Sequence, residues 1–141
     1  LPVSFPQSFK SEVAYWGAKV EEVSQAKELF PTVLTTGELG TGIREQALIV
    51  KASAGLVVIT GCAHPGVVNI VRKAKELAGE EVYLVLGGFH LPKPRVIEDL
   101  RKLGTQKVAP CHCTGEEARR LFKEVYGENY VEVGVGKEMF I

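Results

Sequence analysis

Three histidines and three cysteines occur in this 141-residue chain, and all six fall in three short stretches. TGCAHPG holds Cys62 and His64, GGFHL holds His90, and PCHCTG holds Cys111, His112 and Cys113. Imidazole and thiolate are the side chains that bind zinc, iron and related ions, so their confinement to three turns points to a metal centre if those turns meet in space. Consecutive side chains diverge, and structural zinc sites separate their thiols by two to four residues, so Cys111, His112 and Cys113 are badly spaced to hold one ion together. One ligand from each turn is the economical arrangement. His64, His90 and His112 are its expected members, with the thiols as neighbours. The ordinary alternative for any one of the six is a side chain that caps a helix or packs in a turn.

His112-Cys113, five residues and Arg119 also match the spacing of the Cys-based phosphatase loop, in which a thiolate attacks phosphorus. That loop wraps backbone N–H groups around a dianion, and Glu116 and Glu117 would stand in it and repel the phosphate. Thr114-x-x-Glu117 reads instead as a capping box that opens a helix before Arg119 is reached, which leaves Arg119 a solvated helix residue.

The elements that must position these turns follow from the periodicity. GLVVIT runs into GCAHPG and then VVNIVRKAKELAG, where Val67, Ile70, Val71, Ala74, Leu77 and Ala78 keep helical spacing and Gly79 suits the carboxyl-terminal cap. VYLVLGGF runs into HLPKP and RVIEDLRKLG, with Pro94 suited to a first turn and Ile97, Leu100 and Leu103 as a narrower stripe. KVAP runs into CHC and a helix in which Ala118, Leu121, Phe122 and Val125 share a face and which Gly127 ends. Upstream, AKVEEV (18–23) and PTVLTTGEL (31–39) read as short strands, GELGTG (37–42) as a loop, and EQALIVKAS with GLVVIT as two strands joined by a tight turn at Ala54-Gly55. YVEVGVG and KEMFI read as closing strands. Strands alternating with helices predict an α/β layer architecture, and ligands on such sheets bind beyond the carboxyl ends of the strands. The expected organisation is an irregular lead-in over 1–17 and a single α/β domain over 18–141.

Composition sets outer bounds. With 45% apolar residues, 24% charged residues and a formal net charge of zero, the chain has no basic excess to attract a phosphate backbone, so nucleic acid is not an expected partner. No apolar run approaches the roughly 20 residues needed to span a bilayer, and LPVSFPQSFK lacks a basic region followed by an apolar one. An odd number of cysteines fits reduced thiols better than a disulfide framework, so a cytoplasmic location is expected. One Met, two Asn and four Gln are few for this length, which hints at a thermophilic source.

TGCAHPGVVNIV, VLGGFHL and PCHCTGEEA, with TTGELG and EQALIV upstream, resemble the carboxyl-terminal half of the metallo-β-lactamase superfamily. The similarity is greatest to the archaeal and bacterial metal-dependent hydrolases named as dihydropterin-ribofuranosylaminobenzene-phosphate synthases. The resemblance implies half of an αββα sandwich, one sheet with helices packed on it, and a metal site at one edge. His64 then matches the family's third metal motif, and His112 matches the late histidine of the second metal. His90 lies near the position where the superfamily commonly has a bridging Asp, so it is expected as a ligand in that Asp's place or as a catalytic contact to substrate. The only Asp in the chain is Asp99, inside a predicted helix, which excludes a bridging carboxylate from this segment.

The superfamily's His-x-His-x-Asp-His motif is absent from these 141 residues. The expectation is therefore a metal-dependent hydrolase, or related transferase, whose centre is incomplete in this chain and which is inactive alone. A divalent metal, zinc first and iron or manganese next, would be its cofactor, and a small molecule its substrate. Its partner would be an amino-terminal half, a separate chain or a second copy. Two rivals stand beside it: a non-catalytic module that binds a partner chain or itself, and a thiol-based activity at Cys113.

Overall fold

The computed structural model describes residues Leu1 to Ile141. Six strands form one sheet in chain order: β1 (Gln25–Phe30), β2 (Val33–Gly37), β3 (Leu48–Ala52), β4 (Gly55–Thr60), β5 (Val82–Gly88) and β6 (Lys107–Cys111). Strands β1 to β4 run antiparallel, and β4, β5 and β6 run parallel. Parallel neighbours need long crossovers. α2 (Val67–Ala78) connects β4 to β5, α3 (Arg95–Lys102) connects β5 to β6, and α4 (Glu116–Tyr126) follows β6. The carboxyl ends of β4, β5 and β6 therefore lie side by side, each opening into one of the three turns that carry histidine.

Alternation along the strands divides the core in two. Ile49, Leu56, Val58, Val82, Val85 and Val108 face α2, α3 and α4, meeting Ile70, Val71 and Ala74 of α2, Leu100 of α3 and Phe122 of α4. Each such aliphatic side chain, once buried, contributes about 1.5–3 kcal/mol. On the opposite face Val57, Leu84 and Ala109 form a smaller cluster covered by Val131, Val133 and Met139 of the carboxyl-terminal segment. The result is an α/β layer, as the periodicity predicts, and its one sheet with helices on one side is the half-sandwich that the resemblance implies.

Several local expectations need correction. The lead-in expected to be irregular contains α1 (Gln7–Tyr15), which follows Pro6 and is tied down where Lys10 donates to the Val3 carbonyl at 2.7 Å and pairs with Glu22 at 2.7 Å. AKVEEV is no strand, and only Val23 bridges to Pro2. The first strand is QAKELF instead, a charged edge strand with no clean alternation of apolar residues, which is how a sheet edge avoids self-pairing. The expected closing strands reduce to one bridge, Val108 to Tyr130, because the chain turns at Gly134–Lys137 before any ladder extends. In α4 the buried stripe runs through Phe122 and Tyr126, with Val125 exposed.

Tyr126 is buried, and its hydroxyl meets no hydrogen-bonding partner. Burial pushes its phenol up to about 12, against a smaller pull downward from Arg101. The folded value lies above the ordinary one of about 10. The associated stability is therefore whole below about pH 10 and is lost as pH rises through the folded value. Tyr126→Phe is expected to raise stability by about 1 kcal/mol and to flatten the alkaline limb. Urea midpoints at about pH 8 and about pH 11 check both, and a loss of stability at the lower pH would contradict it.

Candidate metal centre at the strand ends

The three turns are laced together by backbone and hydroxyl groups. Thr60 Oγ1 donates to the Gly88 carbonyl at 3.0 Å, and the Gly88 N–H donates to the Gly61 carbonyl at 2.9 Å, which joins the first turn to the second. The Phe89 N–H donates to Thr114 Oγ1 at 3.1 Å, Thr114 Oγ1 donates to the Cys111 carbonyl at 2.7 Å, and the Leu91 N–H donates to the Cys113 carbonyl at 3.0 Å. The first and last of these bonds join the second turn to the third. Thr114 is thus not the capping residue its spacing with Glu117 suggests. Its hydroxyl is spent between turns, and Gly115 sits at the start of α4 instead. Arg119 is already inside that helix, its N–H bonded to the Gly115 carbonyl, so no phosphate-wrapping loop forms between Cys113 and Arg119.

Backbone strain is concentrated here. The non-glycine residues with positive φ are Ala63 (61°), His90 (45°), Leu91 (44°) and His112 (50°), all in these turns. A side chain in the left-handed region costs about 1–2 kcal/mol per residue. Such conformations persist where the surroundings over-determine them, and they gather at functional sites.

The strain brings ring and sulfur atoms together. The His64 and His90 ring centroids lie 4.2 Å apart. Sγ of Cys62 lies 3.5 Å from Nδ1 of His90 and 2.7 Å from Sγ of Cys113, and the three donor atoms fall within 4.8 Å of one another. His112 opens the 3-10 turn after β6 and is exposed, outside that cluster. The structure therefore sets His64 and His90 side by side, keeps His112 on the same edge but apart, and moves two of the thiols from bystanders to the centre of the group.

Glu45, which the sequence reading did not single out, completes the arrangement. One carboxylate oxygen accepts the Ala63 N–H at 2.7 Å, and the other is hydrogen-bonded to Nδ1 of His64. A histidine that gives Nδ1–H to a carboxylate is fixed in one tautomer with Nε2 free to bind a metal. Spacing does not mark this residue beforehand, since Glu is common in the chain and the contact spans 19 positions.

Two of the thiols are pushed upward. The hydrogen bond with Cys113, then burial and the negative charges of Cys113 and Glu45, push Cys62 up to about 11. Burial, followed by the charge of Cys113, also pushes Cys111 up. Neither resembles the lowered thiol of a nucleophilic cysteine.

Beside the rings opens a cleft of about 400 Å3, lined in part by His64, His90, Arg72, Lys93 and Arg95. Asp99 is the acidic residue in that lining, and it pairs with Arg95 at 3.6 Å. On the far side of His64, the loop Gly40–Ile43 walls a second hollow. No helix of the structure is long and apolar enough to cross a membrane.

No family model matches the chain. Among curated proteins it is 38% identical over 100 residues to the 7,8-dihydropterin-6-methyl-4-(β-D-ribofuranosyl)-aminobenzene-5'-phosphate synthase of Methanocaldococcus jannaschii, covering 66% of this chain and 34% of that protein. It is 37% identical over 86 residues to an uncharacterized protein of the same organism, covering 57% and 32%. The chain spans about a third of the length of these relatives. A crystal structure of a metal-dependent hydrolase of the β-lactamase superfamily superposes with a TM-score of 0.79 at 30% identity, covering 94% of this chain and 62% of that one. The six-stranded sheet with its four helices is a metallo-β-lactamase-like fold, and the chain is similar in sequence both to that hydrolase and to the Methanocaldococcus synthase.

Proposed function

We propose that this chain carries part of the active centre of a metal-dependent hydrolase that cleaves a phosphoester or a similarly anionic ester of a small molecule. The observation that carries the reading is the pair of histidine rings at 4.2 Å on the strand ends, with Glu45 holding Nδ1 of His64. Neutral imidazoles in a set with thiols suit a divalent ion, zinc first and iron or manganese next. His64, His90 and His112 are the proposed histidine ligands, and exposed His90 also faces substrate in the cleft. Such an ion supplies a water acidified to a pKa of about 7, a nucleophile at neutral pH. The chain's own residues do the rest. Glu45 orients His64, the strained turns aim the rings, and Arg72, Lys93 and Arg95 attract and place an anionic substrate.

Asp99 lies in α3 against Arg95, so no aspartate of this chain reaches the centre. The remaining ligands, in this reading, come from a segment or partner bearing His-x-His-x-Asp-His, and the working location is the cytoplasm, where the three thiols stay reduced. A partner-binding module is the second reading, favoured by the sheet face that carries only the 131–139 segment and by exposed Val135 and Phe140 beside it.

The test is hydrolysis of bis(p-nitrophenyl) phosphate by the zinc- or manganese-loaded chain, alone and with a polypeptide of the same superfamily branch carrying that motif. Chelator-sensitive turnover is expected in the mixture and not in the chain alone. Turnover by the chain alone would overturn the incomplete centre. Its absence in a stable mixed complex would overturn the hydrolase reading in favour of the module.

A further inference from the structure

We propose that Cys62, His90 and Cys113 form a binding site of two thiolates and one imidazole for a borderline-soft divalent cation of the zinc and cobalt class. The proposal rests on reading this edge as a metal centre, and it assigns the thiols a direct role there. The three residues come from three different turns, so no local sequence constraint places them together. The bonds that lace the turns do.

Distances support the assignment. A tetrahedral ion with bonds of about 2.3 Å to sulfur and about 2.1 Å to nitrogen sets its sulfur and nitrogen ligands about 3.6 Å apart and its two sulfurs about 3.8 Å apart. Cys62 Sγ and His90 Nδ1 are 3.5 Å apart, which meets the first requirement for that pair, and Cys113 Sγ lies within 4.8 Å of the same ring. The two sulfurs, at 2.7 Å, must separate by about 1 Å to meet the second. Apart from Cys62 Sγ, the polar contact of the Cys113 sulfur is a long one of 3.4 Å to the Cys62 carbonyl, which a rotation of the thiol can give up. Gly88 is what lets the Cys113 sulfur lie against this turn, since a Cβ there would sit 2.8 Å from it.

The chemistry balances without an electron donor or acceptor. Each thiol gives up its proton as its sulfur bonds to the cation, so one divalent ion enters as two protons leave. Two thiolates favour zinc or cobalt over magnesium or calcium, whose ligands are oxygens. His90 is exposed and also lines the cleft, so the site is open to solvent on that side. Cys111 is outside the group although it is two residues from Cys113, and it therefore serves as an internal control.

The experiment adds cobalt(II) to the reduced, metal-free chain, follows thiolate-to-cobalt charge-transfer absorption, and then maps alkylation of each cysteine by mass spectrometry. The expected result is one cobalt per chain with the charge-transfer band present. Cys62 and Cys113 are protected at least about tenfold while Cys111 alkylates as before, and Cys62→Ser or Cys113→Ser weakens binding by about a hundredfold while Cys111→Ser does not. Protection in the unsubstituted chain carries the test even if a serine variant misfolds. Bound cobalt with no band and no protection overturns the thiolate site while leaving the hydrolase reading to its own assay. Failure to bind cobalt, or a Cys62–Cys113 disulfide that forms equally fast with and without it, also overturns the proposal.

Discussion

Replacing Gly87 by alanine is expected to destabilise the protein by about 4 kcal/mol or more, a large fraction of the roughly 5–15 kcal/mol that holds a domain of ordinary stability. Gly87 has φ of 130°, a conformation that a side chain forbids. A Cβ built on it would lie 2.2 Å from the Thr60 carbonyl oxygen, 2.4 Å from Thr60 Oγ1 and 3.0 Å from the Thr60 carbonyl carbon. Those atoms belong to a buried residue whose strand pairs with β5 in fixed register, Thr60 opposite Gly87, so they have no free direction of retreat. Backbone strain of about 1–3 kcal/mol adds to an overpacking cost of about 1–3 kcal/mol. Gly79→Ala is the control. It also has positive φ, at 69°, but nothing lies within 4 Å of its Cβ, so its loss is confined to about 1 kcal/mol of backbone conformation. Urea midpoints of the two variants decide the matter, and a Gly87→Ala midpoint equal to that of Gly79→Ala would show that β4 and β5 do not approach as described.

The same glycine shows where sequence reading stops. Helices α2, α3 and α4 were legible because apolar residues at helical spacing have one physical use, and Gly79 closes the first in the left-handed conformation that the cap requires. Strands β3 to β6 were legible as apolar runs between turn residues. β1 was not, because a charged edge strand carries no such signal, and α1 was not, because its one buried side chain is Lys10. At the site, the six reactive residues declared themselves by confinement to three turns. Their partition did not. Spacing made the thiols neighbours of a histidine set, whereas the close approach of Gly61 and Gly88 brings Cys62 to Cys113 and leaves His112 outside. That choice is made by φ values and hydrogen bonds between turns, neither of which any single stretch encodes.

Glu45→Gln is expected to lower the affinity of the centre for divalent metal by about ten- to a hundredfold, through a change of tautomer in a ring that Glu45 touches. The carboxylate accepts at both oxygens, from the Ala63 N–H at 2.7 Å and from Nδ1–H of His64. This is the arrangement that leaves the Nε2 lone pair of His64 free. A glutamine has one accepting oxygen. If it stays on the Ala63 N–H, which also steadies the strained backbone at that residue, the amide NH2 meets Nδ1. The ring then answers by moving its proton to Nε2, where it blocks the metal. If the amide turns the other way, Ala63 loses its acceptor and the turn loosens, which shows as lower stability with the tautomer kept. Nitrogen-15 chemical shifts of the His64 ring in the metal-free chain separate these outcomes, and a chelator competition measures the affinity. A ring that keeps its tautomer in a variant of unchanged stability and unchanged metal affinity would remove Glu45 from any positioning role.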